Sequence, residues 1–272
     1  MTNGLMRFRV APVTTVEVKQ NLFAPVDKIG NPENYQIETT VYSDNKNDVV
    51  ISGTRLTQLH RDILDIALYH GSYKLEDEVD ENMPIRTFSL HQIQKHLNHK
   101  QKNNQAWLKK KFQELKRATI LIYDKDRDED IEFNIIRVAK RSHKLGEFVL
   151  VMEELYMAFF ENEISVNYKE LLPSILGLKH PQTKAIVRYL LSHQSGHQIN
   201  IDKLLRKIGL QGEEGNLKYY RRVVLEELEE IGDKFNIELI KTSSDGRRKN
   251  DITVKYTKHK EVQIYHPQAT LF

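Results

Sequence analysis

Residues 88–123 read FSLHQIQKHLNHKQKNNQAWLKKKFQELKRATILIY, and this stretch decides the fold. Ser89 is a favourable N-cap, and Leu90, Ile93 and Leu97 recur along one helical face. His99 to Asn104 breaks that pattern with polar residues and predicts a turn. A second, longer helix then places Leu108, Phe112 and Leu115 inward. At about 100° per residue, Asn103, Ala106, Lys110, Gln113 and Arg117 face the other way, flanked by Lys102 and Lys109. From Lys100 to Arg117 there are seven basic residues and one acid, Glu114. The whole reads as strand, helix, turn, longer helix, strand. It is a helix-turn-helix whose second helix suits an approach to phosphate.

One such pattern is common in helical proteins; its recurrence is what carries weight. Phe88, Ser89, Leu90, Ile93 and Leu97 correspond to Ile199, Asn200, Ile201, Leu204 and Ile208 at a constant shift of 111. Leu108 and Phe112 correspond to Tyr220 and Val224, so the turn has gained a residue. An internal repeat of this length is architecture. The second long helix, Asn216–Ile231, faces Lys218, Tyr219 and Arg222 outward, with Arg221 at the edge. Its far half, Glu226–Glu230, is acidic, so only the N-terminal half is expected in a groove.

Around these helices the fold class is α+β, with two tandem winged-helix domains. Residues 1–34 carry Pro12, Pro25 and Pro32 and little periodicity, and are predicted to form a flexible arm with a short element near Val13–Val18. The first domain spans 35–152. It opens with a hairpin, Tyr35–Ser43 and Val49–Ser52, and a helix from Leu56 to His70 closed by Gly71. An acidic loop, Leu75–Asn82, leads into the helix-turn-helix. The expected wing strands are Thr119–Tyr123 and Ile131–Val138 around the charged tip Asp124–Asp130, with Glu147–Met152 as a third strand. Residues 153–179 read as a mostly helical linker. The second domain, 180–260, runs helix, strand, helix, turn, long helix and a final hairpin, Ile237–Thr242 and Ile252–Tyr256. Residues 261–272 form a tail.

The wings differ in charge. The second tip carries Arg247, Arg248 and Lys249 on an Asp-Gly turn, suited to phosphate or minor-groove contact. The first is mainly acidic and is a poor candidate. Two readings stay open for the basic run Arg137–Lys144, a backbone contact or a solvated linker. Trp107 and Tyr219 each have a stacking and a packing reading.

The chain has 272 residues, a net charge of only +3 and no cysteine. A nucleic-acid surface must therefore be local, and disulfide scaffolds and cysteine-bound zinc are excluded. No apolar run reaches membrane-spanning length, and the expectation is a soluble cytoplasmic protein. There is no GxxxxGK[ST] loop and no HExxH pattern, and the eleven histidines suggest no metal site. No catalytic constellation, cofactor or metal is expected, so an enzyme is the least favoured class.

The chain ends His266-Pro-Gln-Ala-Thr-Leu-Phe272. Gln268, Leu271 and Phe272 resemble the short peptide by which bacterial proteins bind the sliding clamp of the replicative polymerase, the Gln at the rim of an apolar pocket and the Leu and Phe within it. Gln20-Asn-Leu-Phe23 is one residue too short for that pattern.

The whole chain resembles plasmid replication initiators of the TrfA type. The resemblance runs through NLFAP at Asn21–Pro25, ISGTRL at Ile51–Leu56, FSLHQI at Phe88–Ile93 and the helix end Leu108–Thr119. It implies binding to directly repeated double-stranded origin sites, opening of the duplex with single-stranded origin DNA exposed, and recruitment of the host clamp and of the helicase or its loader. It also implies a homodimer that dissociates to act. Lys100, Lys102, Asn103, Lys109, Lys110, Gln113 and Arg117 are the expected DNA contacts of the first half, and Lys218, Tyr219, Arg221, Arg222 and Arg247–Lys249 those of the second. A transcriptional repressor on the same fold and a scaffold that makes no DNA contact are the alternatives.

Overall fold

The computed structural model describes residues 13–19, 21–26, 39–43, 45, 47–74, 85–97, 105–142, 147–156, 164–193, 195–210, 214–242 and 251–266. The second half is the simpler of two winged helices. Pro181 starts a helix at its first turn, where its missing N–H costs nothing, and that helix runs Pro181–Leu191. A strand, His197–Asn200, leads into a helix, Ile201–Lys207, which the Asn200 side chain caps by accepting from the amides of Asp202 (2.9 Å) and Lys203 (3.3 Å). Gly209 then turns the chain at φ +87°, with the Asn21 side chain against it. The long helix Glu214–Ile231 and the hairpin Ile237–Thr242 and Asp251–Tyr256 complete the unit. Its three-stranded sheet runs His197–Asn200, Asp251–Tyr256, Ile237–Thr242, so the first strand pairs with the last.

The first half repeats that order with an insertion. In chain order we label β1 Val13–Thr14, α1 Thr15–Lys19, β2 Thr39–Ser43, β3 Asn47–Ser52, α2 Gln58–His70, β4 Ser72–Lys74, β5 Ile85–Ser89, α3 Leu90–Leu97 and α4 Gln105–Arg117. Then come β6 Thr119–Asp124, β7 Glu129–Asn134, β8 Ile136–Ser142, β9 Glu147–Met152, β10 Ser165–Asn167 and α5 Leu172–Leu176. The second winged helix contributes α6 Pro181–Leu191, β11 His197–Asn200, α7 Ile201–Lys207, α8 Glu214–Ile231, β12 Ile237–Thr242 and β13 Asp251–Tyr256, and β14 is Gln263–Tyr265. Ser89 caps α3 in a reciprocal pair: its hydroxyl accepts from the Gln92 amide at 3.2 Å, and the Gln92 side chain accepts from the Ser89 amide at 2.6 Å. Phe88, Phe112 and Phe148 meet beneath α4, with ring centroids 5.4–6.1 Å apart.

The wing strands of this half are not those expected. β5 pairs with β9, and β9 with β8, the same pattern as β11, β13 and β12. β6 and β7 instead join β3 and β2 in a separate four-stranded sheet, β2-β3-β6-β7. The stretch expected as one strand, Ile131–Val138, is split at Ile135. Ile135, between β7 and β8, and Ile136, the first residue of β8, are both fully buried at this split. The chain crosses there from one sheet to the other. Asn134 holds the crossing by donating to the carbonyls of Lys116 (3.2 Å) and Ala118 (2.9 Å) at the end of α4. The sheet abuts the same helix end through Gly53, at φ +75°, where a Cβ would lie 2.2 Å from the Arg117 carbonyl oxygen.

Three further expectations are amended by long-range pairing. The stretch 153–179, read as mostly helical, contains β10, which pairs antiparallel with β1 on one side and β14 on the other. The region read as a flexible arm forms β1 and α1 where the short element near Val13–Val18 was expected, but it also puts Leu22 and Phe23 into the core, which accounts for the apolar pair of Gln20–Phe23. Residues 263–265, read as tail, form β14. In each case the partner lies far away in sequence, where periodicity carries no signal.

The two winged helices meet through α2 and α6. Arg188 of α6 donates to Gln58 (2.6 Å), Asp62 (2.6 Å) and Asp65 (2.9 Å) of α2, and Lys184 donates to Asp62 at 2.6 Å. Arg61 pairs with Asp65 and, at 3.2 Å, with Glu17 of α1. Tyr156 donates to Glu17, and Tyr168 donates to Asp65 at 2.9 Å. Arg61, Arg188, Asp62, Asp65 and Glu17 are all buried. Burial works against the charge of each guanidinium, but the facing carboxylates outweigh it and raise both pKa values. Burial pushes the Tyr156 and Tyr168 hydroxyls up, so both stay protonated as donors.

Candidate nucleic-acid interface

α4 buries Leu108, Phe112 and Leu115 and leaves Lys109, Lys110, Gln113, Lys116 and Arg117 exposed. Trp107 is half-buried and packs on the core, which favours its packing reading. The one acid of this helix is turned inward. Glu114 accepts from His60 Nε2 at 2.7 Å and from Lys111 Nζ at 2.6 Å. Burial opposes its ionised form, but these two hydrogen bonds outweigh that and bring its pKa to about 2. His60 is held neutral: burial lowers its pKa, and its Nδ1 accepts the Thr57 amide at 3.1 Å, leaving Nε2–H to donate. The outward face of α4 thus carries cations with no acid among them.

α8 presents Lys218, Tyr219 and Arg222, with Tyr219 51% exposed. The Arg222 guanidinium sits 5.7 Å from the centre of the Tyr219 ring and 3.9 Å from Glu226. Tyr220 is half-buried against the core and meets Tyr219 edge-on at 5.7 Å. Arg221 is half-buried and reaches Asp202 of α7 at 3.4 Å, which ties it to the neighbouring helix. In the acidic half, Glu227 points inward and accepts the Lys179 and His180 amides (2.5 and 3.2 Å) at the start of α6. Glu229 pairs with Lys241 at 2.7 Å and Glu230 with Lys179 at 3.2 Å.

Strand pairing puts the described part of the basic run, 137–142, in a strand and not in a linker. β8 and β9 are the wing of the first half, and residues 137–142 lie on the edge strand of its sheet. Arg137 and Lys140 are exposed there, and Arg141 lies over the Phe148 ring at 5.9 Å. The acidic tip belongs to the β6–β7 hairpin and organises itself: Asp124 accepts the amides of Asp126 (2.9 Å) and Arg127 (3.1 Å), and Asp128 sits at φ +56°. Sequence reasoning did not place Arg137 and Lys140 on a strand beside β9, and the available signal was the doubled isoleucine before them. It also missed the inward Glu227, which lies three and four residues after the buried Val224 and Val223 on the apolar stripe.

Lys100, Lys102 and Asn103 of the first turn, Arg247, Arg248 and Lys249 of the second wing, and Gln268, Leu271 and Phe272 of the tail lie outside the described residues. Among the described residues no group of three or more His, Asp or Glu side chains could hold a metal ion, and no helix is long and apolar enough to cross a membrane.

No family model and no curated protein matches the chain. Solved structures do. Domains 2 and 3 of RctB superpose with a TM-score of 0.59 at 9% identity, covering 90% of this chain and 98% of that one. A second RctB structure, of residues 155–483, gives a TM-score of 0.54 at 10% identity over 90% and 97%. The Pi initiator protein in complex with iteron DNA gives 0.50 at 15% identity, over 80% of this chain and all of that one. The chain shares their tandem winged-helix fold. The second helices of its two helix-turn-helix units are α4 and α8, and each is followed by a wing.

Proposed function

We propose that the protein is a sequence-specific DNA-binding replication initiator that engages directly repeated double-stranded sites at an origin. The observation that carries this reading is the doubled surface: two helix-turn-helix units whose second helices expose Lys109, Lys110, Gln113 and Arg117 in one case and Lys218, Tyr219 and Arg222 in the other. Likeness to the Pi initiator bound to iteron DNA supports it. Arginine, lysine and glutamine are the side chains that read base edges in the major groove, and surplus lysines grip phosphate. The wing edge at Arg137 and Lys140 adds backbone contacts beside α4.

In this reading the protein has no enzymatic activity of its own, needs no cofactor and works in the bacterial cytoplasm. It helps open the origin, contacts the exposed single strand and recruits the host helicase or its loader. It binds the sliding clamp through Gln268, Leu271 and Phe272, and passes between homodimer and active monomer. A repressor on the same fold is the second reading, since an exposed basic helix serves either task.

Fluorescence anisotropy with duplexes tiled across the DNA flanking the gene, over a salt series, tests the proposal. Binding to directly repeated segments at least about 10³ tighter than to random duplex supports it. One palindromic site at the gene's own promoter would favour the repressor. Weak binding everywhere that vanishes with salt would overturn both.

A further inference from the structure

Each recognition helix is tied inward by one carboxylate, and both ties lead to the same place. Glu114 of α4 is held at 2.7 Å by His60 of α2. Glu227 of α8 is held by the two amides that start α6. α2 and α6 are in turn joined by Arg188, whose planar fork serves Gln58, Asp62 and Asp65. Polar contacts therefore couple one DNA-reading helix to the other element by element, α4–α2–α6–α8, with the bodies of α2 and α6 as the rigid links between them. Its centre is closed by Glu17 on α1 and by Tyr156 and Tyr168 from the segment between the halves. Three acids, Glu17, Asp62 and Asp65, face three bases, Arg61, Lys184 and Arg188, so the cluster is balanced.

Adhesion alone does not call for this. Apolar residues of similar volume commonly serve stability as well as a buried ion pair or better. An apolar contact, however, permits sliding, whereas a guanidinium shared among three fixed acceptors admits one distance and one rotation. We propose that Arg188, with Asp62 and Asp65, is a positioning element that fixes the spacing and rotation between α4 and α8, so that the DNA site is read at a single spacing of its two halves. The inference rests on the DNA-binding function proposed above.

The chain has no cysteine, so Gln113→Cys and Lys218→Cys can carry a pair of spin labels without background. Their distance distribution is measured without DNA in the full chain, in the charge-balanced double variant Arg188→Gln/Asp62→Asn, and in Arg188→Lys, which keeps the charge and loses the fork. Lys184, partly open to solvent, can turn outward when Asp62 is neutralised. The unlabelled proteins are then titrated with the bound repeat and with the same repeat lengthened by one central base pair, which rotates its halves by roughly a tenth of a turn. We expect one narrow distance in the parent and a broad one in the variants. We expect the inserted base pair to cost the parent about tenfold in affinity and the variants under threefold, while each variant still melts cooperatively. A narrow distance in either folded variant, or an insertion penalty equal to the parent's, overturns the inference. If the parent binds no repeated duplex, the functional reading falls and this inference with it. If the parent binds but ignores the insertion, this inference alone falls.

Discussion

Lys110 and Arg222 occupy equivalent places in the two halves, 112 residues apart, and both are exposed. Replacing either by Ala should weaken specific binding by about 1–3 kcal/mol if it reads a base, or lower the slope of log K against log salt by about one if it grips phosphate. Anisotropy over a salt series separates the two, and an unchanged curve would mean that the DNA lies on another face. Glu114 makes a different prediction. Its pKa is depressed to about 2 in the folded protein, so its contribution is complete above its ordinary value of 4.5 and is lost as pH falls from there towards 2. The site is partly open, and solvent screening brings the contribution to about 1–2 kcal/mol. Melting curves of the parent and Glu114→Gln should therefore differ at pH 6, draw together below pH 4.5 and converge as pH falls through about 2. A constant gap would show that the ionised carboxylate contributes nothing beyond its shape.

At the scale of elements, the two hairpins of the first half should behave oppositely. Arg137→Ala with Lys140→Ala on β8 should reduce the salt slope by about one to two if, as proposed, the wing edge faces phosphate. Asp126→Asn with Asp130→Asn at the β6–β7 tip should leave it unchanged, and an equal loss from both pairs would refute the assignment of the wing. This distinction also marks how far the sequence could be read. Ser89, Asn200, the two apolar stripes and the 111-residue shift are local or repetitive signals, and the helix-turn-helix units follow from them. Which strand β5 pairs with is not local, and the acidic tip was read as a wing because its hairpin follows α4 directly. Ile135-Ile136 was the available clue. Glu114 and Glu227 carry no local sign of an inward role because their partners, His60 and the start of α6, belong to other helices. The basic face of α4 was legible; the reason its one acid does not spoil that face was not.

At the scale of the whole molecule, the three-stranded sheet β1-β10-β14 draws residues 13–14, 165–167 and 263–265 together. Although the sequence reads as two domains on a linker, neither half is complete without the other. That makes the protein suited to complementation. Cut between residues 160 and 161, one piece keeps β1, Glu17, Arg61, Asp62, Asp65 and Tyr156, and the other keeps β10, Tyr168, Lys184, Arg188 and β14. Each piece alone would leave buried charges unpaired, at about 3–5 kcal/mol for a broken buried pair, and should be poorly folded. Co-expressed, the two should co-elute as a single species of the parent's size on gel filtration. Independent, well-folded pieces would instead show that the ancestral repeat can still be taken apart. Reassembly would give a tandem duplication that has become one indivisible object, able to be switched on by bringing two silent fragments into the same cell.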